Sequence, residues 1–254
     1  MIFDEDLTAC AALVQKADPD RFAAAMAGPV DARRILFPVY AFNVEVSRAP
    51  WVTQEAMIAE MRLQWWRDAL TEIGARGIVR RHEVVTPLAL ALDSQGAEVL
   101  DRLVAARRWD IYRDPFEDAA HFSRYLDETG AGLMWAGARA LGAEPEHEAA
   151  VRALGRAAGL ARFLQAVPAL EAEKRIPLVD GRTDAVRTLA SDALATFSRR
   201  DLRRSVGRKA WPALTEAFAA RDLLEQVVRR PHIVAEGGMG MNPLKRSLRL
   251  WQWA

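Results

Sequence analysis

The chain has 254 residues, 51% of them hydrophobic and 27% charged, enough to bury one sizeable core at the upper end of the single-domain range. Its 35 basic and 34 acidic side chains nearly cancel, so no global field draws it toward nucleic acid or an acidic substrate, and nucleic acid is excluded as a partner. No run approaches the roughly 20 apolar residues of a membrane span, and the lone Cys10 excludes an internal disulfide and a cysteine-based metal site. The acidic start Met1-Ile2-Phe3-Asp4-Glu5-Asp6, without a positive region leading into an apolar run, predicts a cytoplasmic protein with no leader.

Apolar residues recur at helical spacing almost throughout, and no strand is predicted. Helices are expected at 5–16, 19–27, 31–49, 54–74, 87–93, 96–112, 115–141, 146–170, 182–204, 208–229 and 242–252, with ends uncertain by about two to four residues. Thr53 is read as an N-cap, and Asp18-Pro19, Thr86-Pro87 and Asp114-Pro115 each pair a capping residue with proline at the first helical position. Pro38 falls inside the third helix, where a missing donor and a clash with the preceding turn predict a kink. In the fourth, Met57, Ile58, Met61 and Trp65, with Leu63, Trp66 and Leu70, read as a broad buried stripe. The loosest stretch, Glu236-Gly237-Gly238-Met239-Gly240, lacks the Lys-Ser/Thr of a phosphate loop and reads as a flexible connector to the last helix. One domain, 1–254, is predicted.

Chemistry is sparse. His82, His121, His147 and His232 are scattered without metal-ligand spacing, and no Gly-x-Ser-x-Gly elbow or nucleophilic cysteine context occurs. Asp110, Asp114, Glu117 and Asp118 form the best acidic group, but Asp114 before Pro115 reads as a cap and the next two acids as first-turn complements to the helix dipole, so capping outweighs magnesium binding. Asp127 and Glu128 are adjacent, point about 100 degrees apart, and read as a solvated face. Arg199, Arg200, Arg203, Arg204, Arg208 and Lys209 make a basic strip, interrupted by Asp201, whose expected role is solvation. In the last helix Leu244, Leu248 and Trp251 follow helical spacing among Lys245, Arg246 and Arg249, with no acid from Met241 onward. Two roles stay open for it, packing its apolar face on its own domain, or resting on an anionic membrane or a partner.

Larger patterns carry a resemblance. Arg33 to Asn43 (Arg-Arg-Ile-Leu-Phe-Pro-Val-Tyr-Ala-Phe-Asn), then Met61-Arg62-Leu63-Gln64-Trp65-Trp66-Arg67-Asp68, Tyr125-Leu126-Asp127-Glu128-Thr129-Gly130-Ala131-Gly132, Gly155 through Gln165, and Arg175-Ile176-Pro177-Leu178 together resemble the squalene/phytoene synthase family over roughly positions 18 to 230. The resemblance implies an all-α, single-domain isoprenoid-synthase-like bundle around a central cavity. It also implies head-to-head joining of prenyl diphosphates, with two aspartate-rich motifs holding Mg²⁺, since the diphosphate leaving group needs a Lewis acid held by hard oxygen ligands.

Matching on Tyr40-Ala41-Phe42 places the first motif on Ser47-Arg48-Ala49-Pro50-Trp51, and matching on Gly155 places the second on Arg162, Gln165, Ala166, Ala169 and Leu170. Neither stretch holds a carboxylate, and the nearby Glu45 and Glu171 to Glu173 do not reproduce the spacing. Phe42-Asn43-Val44-Glu45-Val46 is similar to a divergent branch that includes a mitochondrial respiratory complex I assembly factor. That implies a non-catalytic protein without cofactor, working in respiratory complex assembly through a protein partner or an isoprenoid-like lipid. Its expected cavity positions are Tyr40, Asn43, Ser47, Arg48, Trp51, Arg162, Gln165 and Ala166, beside an exposed apolar patch. Peripheral contact with the inner face of the membrane is expected through Lys245, Arg246, Arg249 and Trp251. The alternatives are an active prenyltransferase using Mg²⁺, and a plain scaffold whose cavity has collapsed.

Overall fold

The computed structural model describes residues 4–53, 55–196 and 199–254, with the backbone alone at 199–201. Among these residues there is no strand. The α-helices in chain order are α1 (Glu5–Ala17), α2 (Pro19–Ala27), α3 (Val30–Arg48), α4 (Ala56–Gly74), α5 (Val85–Ala91), α6 (Ser94–Ala106) and α7 (Ala119–Leu126). They continue with α8 (Gly132–Ala140), α9 (Glu148–Ala172), α10 (Thr183–Ala195), α11 (Arg199–Ser205), α12 (Gly207–Leu214), α13 (Ala220–Arg229) and α14 (Pro243–Trp253).

Short acceptor side chains start these helices where the first-turn N–H groups lack partners. Asp4 accepts from Leu7 N–H at 2.8 Å, Asp18 from Arg21 N–H at 3.0 Å and Asp93 from Gly96 N–H at 2.7 Å. Asp118 and Asn242 do the same for α7 and α14. Of the expected caps, Asp18 alone has that role. Thr53 Oγ1 accepts from Glu55 N–H, but the cap residue of α4 is Glu55. Thr86 lies inside α5, its hydroxyl turned to His82 N–H and Arg81. Asp114 is exposed in the loop before α7, and Asp118 takes the cap, so the helix starts four residues later than expected.

The expected helix at 115–141 is interrupted by a π-helical turn over Asp127–Ala131, which separates α7 from α8. The expected 208–229 helix is broken by a tight turn at Thr215–Ala217, and α6 ends in a 3₁₀ turn over Arg107–Asp110. Residues 197 and 198 of the expected 182–204 helix lie outside the described residues, as do Met1 to Phe3 and the side chains of Arg199, Arg200 and Asp201.

In α3, Leu36 through Val44 is buried all round, so this helix is central, and the chain stays helical through Pro38. Trp135 of α8 joins Phe37, Tyr40 and Phe42 among the largest fully buried side chains. Of the broad stripe expected on α4, Leu63, Trp66 and Leu70 are buried, joined by Ala59 and Ile73, Trp65 is half-buried, and Met57, Ile58 and Met61 are exposed. Packing against α6 narrows the stripe to that one face.

The π turn packs on α9 through glycine. A Cβ on Gly155 would lie 2.6 Å from Ala131 Cα, and one on Gly130 would lie 2.9 Å from Gly159 Cα. The two backbones therefore meet directly, and α9 and α3 stand on opposite walls of one cavity.

Candidate functional site

The cavity has a volume of about 350 Å³ and is walled by α2, α3, the end of α6, the α7–π segment and α9. Helical periodicity puts Asn43, Ser47 and Arg48 of α3 on it, joined by Trp51 just beyond the helix. From α9 come Gly159, Arg162, Phe163, Ala166 and Leu170, at spacings of three, four and seven residues along one face. Its base is aromatic: Tyr125 and Phe163 belong to a cluster with Trp109, Phe116 and Phe122, in which Trp109 stacks on Phe116 at 4.0 Å.

Two ionic networks occupy the polar walls. In the first, Arg21 is buried and donates Nε–H to Glu216, a carboxylate whose side chain is 1% exposed. Arg162 donates to the same carboxylate oxygen at 3.0 Å and to the Glu216 carbonyl at 3.1 Å. Arg21 also holds Asp18 at 2.9 Å, with Arg162 3.9 Å from that carboxylate. Burial alone would raise the Asp18 pKa, but Arg21 and Arg162 together with the N-cap hydrogen bond outweigh it and hold it down at about 2. Tyr40 lies beneath this network with Arg21 5.6 Å over its ring; burial, reinforced by Glu216, pushes its phenol well above the usual range.

In the second network Tyr125 Oη–H donates to Asp110 at 2.8 Å, and Arg107 donates to Asp110 at 3.0 Å and to Tyr125 Oη at 2.8 Å. Burial, with Asp110 adding to it, raises the Tyr125 pKa, so the phenol stays a neutral donor. Arg175 donates to the carbonyls of Asp110 and Tyr112 and lies 4.9 Å over Trp51, behind the cavity wall. Arg48 is the least committed cation on the wall, with a 55% exposed side chain and only a 3.5 Å contact to Glu45. Ser47 Oγ and Arg107 Nε are sealed from solvent without a hydrogen-bond partner among the described residues.

These groups can hold an anion. Among the described residues Arg21, Arg48, Arg107 and Arg162 line the cavity against Asp18 and Asp110. Mg²⁺ would need several carboxylate oxygens turned to one point, whereas both aspartates are spent on arginine or tyrosine. No three His, Cys, Asp or Glu among the described residues are grouped to hold a metal ion. This donor set does not fit a magnesium–diphosphate centre. The expected acidic group is dispersed: Asp110 is buried on Tyr125, Asp118 caps α7, and Asp114 and Glu117 are exposed. Asp127, read as solvated, instead receives Arg152 at 2.9 Å and Arg156 at 2.6 Å.

Of the expected cavity positions, Asn43, Ser47, Arg48, Trp51, Arg162 and Ala166 line one cavity. Tyr40 sits one turn below it, fully buried. Gln165 turns away, exposed, into a separate crevice beside Asp20 and Glu216, because it falls about 100 degrees round the helix from Ala166, beyond the Arg162 edge of the facing stripe. Arg21, Arg107 and Glu216 escape sequence reading altogether: a buried arginine is indistinguishable in sequence from a solvated one. Tyr125 and Gly130 lie in a segment that the resemblance had already marked.

An all-helical domain closing a cavity between two long helices defines the isoprenoid-synthase class of folds. The model of the squalene/phytoene synthase family matches residues 14–245, and the chain belongs to that family. Its fold is similar to a dehydrosqualene synthase solved in complex with ligand, at a TM-score of 0.78 and 14% identity, covering 99% of this chain and 96% of that one. It is similar also to squalene synthase HpnC from Alicyclobacillus acidocaldarius, at a TM-score of 0.69 and 16% identity over 89% and 94% of the two chains. Among curated proteins it is 32% identical over 174 residues to the Drosophila melanogaster homolog of NADH dehydrogenase (ubiquinone) complex I, assembly factor 6, covering 63% of this chain and 50% of that protein. The Bos taurus assembly factor 6 is 23% identical over 252 residues, 86% of this chain and 72% of its own length. The chain thus spans half the length of the fly relative.

Proposed function

We propose that this protein is a non-catalytic member of the squalene/phytoene synthase family that assists assembly of a respiratory membrane complex at the inner face of the membrane. In this reading the cavity receives the anionic end of an isoprenoid-like lipid, met by arginine rather than by metal, and needs no cofactor. The observation that carries it is the state of the cavity carboxylates: Asp18 is taken by Arg21, and Asp110 by Tyr125 and Arg107, so neither is free to gather Mg²⁺ against a diphosphate. The assembly role is supported by relatives named complex I assembly factor 6 in fly, cattle and human. No helix among the described residues is long and apolar enough to cross a membrane, which favours peripheral contact.

The test has two readouts. Titration of the purified chain with farnesyl diphosphate, with and without Mg²⁺, is expected to give no magnesium-dependent release of diphosphate and no condensed product. Magnesium-dependent binding with turnover would restore the prenyltransferase reading. Deleting the gene in its own host is expected to lower assembled NADH–quinone oxidoreductase, and a normal level of that complex would remove the assembly role.

A further inference from the structure

Helix α14 docks the wrong way round for a terminal amphipathic helix. Its cations face the domain: Lys245 and Arg249 each hold Asp222 of α13 at 2.6 Å, and Arg246 pairs with Asp20 of α2. Trp253 is buried and stacks on Trp211 at 5.3 Å, while Trp211 Nε1–H donates to the Trp253 carbonyl. The apolar stripe is left in solvent, with Leu244 85%, Leu248 52% and Trp251 76% exposed. Of the roles open to this helix, the structure does not show its apolar face packed on its own domain, and the cations named for membrane contact pair with the domain's own aspartates.

We propose that Leu244, Leu248 and Trp251 are the membrane-contacting surface of the protein, inserting as a rigid ridge into the interface of an anionic bilayer. This rests on the reading that the protein works at a membrane. Three features select a bilayer as the occupant. The ridge is three side chains wide, far short of the roughly 800 Å² per partner of a stable protein interface, but suited to lying among lipid headgroups, where tryptophan is favoured. Lys245 and Arg249 share the single carboxylate of Asp222 and their side chains stay 45% and 35% exposed, so one positive charge is left uncompensated beside the ridge, which favours an anionic over a neutral surface. The Asp222 and Trp211 anchors hold the helix in place, so no ordering of a loose segment opposes insertion.

The test is flotation of the full chain with phosphatidylcholine vesicles containing phosphatidylglycerol. The L244S/L248S/W251S variant, whose changes lie in solvent, is expected to keep its urea midpoint while its partition coefficient falls by more than about tenfold. Lys245→Gln is expected to cost far less. As a second measurement, a polarity-sensitive dye is placed at Leu248→Cys. Cys10 does not compete for it, being buried with its thiol pushed up to about 12 by burial and neighbouring acids. The dye is expected to shift blue on vesicles. Flotation of the triple variant equal to wild type, or a dye that stays in water, overturns the role of α14 and leaves membrane contact elsewhere. Failure of the wild type to float overturns the membrane ridge itself, while the assembly reading is judged separately by the gene deletion.

Discussion

Glu216 accepts from two arginines while its side chain is almost wholly sealed from water. Burying one carboxylate between two guanidinium groups is favourable only while all three remain, because an unpaired ion in this environment has no solvent to turn to. Glu216→Gln removes the charge and leaves Arg21, itself buried, with Asp18 as its remaining carboxylate and an amide in place of the other. We expect a loss of about 1–3 kcal/mol in urea unfolding. A change below about 1 kcal/mol would mean that water reaches Arg21 when the carboxylate goes. The residues that matter most here, Arg21, Arg107 and Glu216, carry no local signature, since each acquires its role from a partner distant in sequence. Ser47, Arg48 and Ala166, by contrast, were legible because they fall on positions of a pattern that recurs with fixed spacing.

Among the elements, the π turn and α9 are held by the absence of side chains. Gly155→Ala would place a methyl group 2.6 Å from Ala131 Cα, a clash with backbone that no rotamer relieves. The better helix propensity of alanine is worth about 1 kcal/mol and overpacking costs about 1–3 kcal/mol, so a net loss of stability is expected. Gly74→Ala is the contrasting case, since its Cβ meets only Ala97 at 3.8 Å and is expected to be neutral or slightly stabilising. Equal urea midpoints for the two variants would show that the π turn yields. The turn itself was not readable in advance, because 115–141 has unbroken helical periodicity and the extra residue per turn is imposed by glycines on another helix. The narrowed stripe of α4 has the same origin: its expected apolar band was broader than one face, and the neighbours chose Leu63, Trp66 and Leu70 over Met57, Ile58 and Met61.

For the whole molecule, the near balance of charge conceals how those charges are used. Asp18 is ionised against Arg21 and Arg162 with its pKa held at about 2, below the usual 3.8. A depressed carboxylate contributes stability that is complete above about pH 4 and is lost as pH falls toward 2, because the unfolded chain then binds the proton first; the shift corresponds to about 2 kcal/mol. Urea midpoints are expected to fall over that window in the wild type and to fall less steeply in Asp18→Asn, which keeps the helix cap. Parallel profiles would show that other carboxylates set the acid limit.

Helical class, the order of most helices, a single domain and family membership were all determined by the sequence, because periodicity and spaced motifs are local properties that survive without coordinates, whereas three of the four expected caps do not hold that role. That Ser47–Trp51 and Arg162–Leu170 hold no carboxylate is equally plain, being a matter of residue type. Only the tertiary structure decided that Asp18 and Asp110 are consumed by arginine and tyrosine, that Gln165 faces away, that α4 leaves Met57, Ile58 and Met61 in solvent, and that α14 turns its cations inward and its leucines and Trp251 out. Each of those depends on which of two chemically acceptable faces meets a partner, and the free energy that chooses between them belongs to residues far away along the chain.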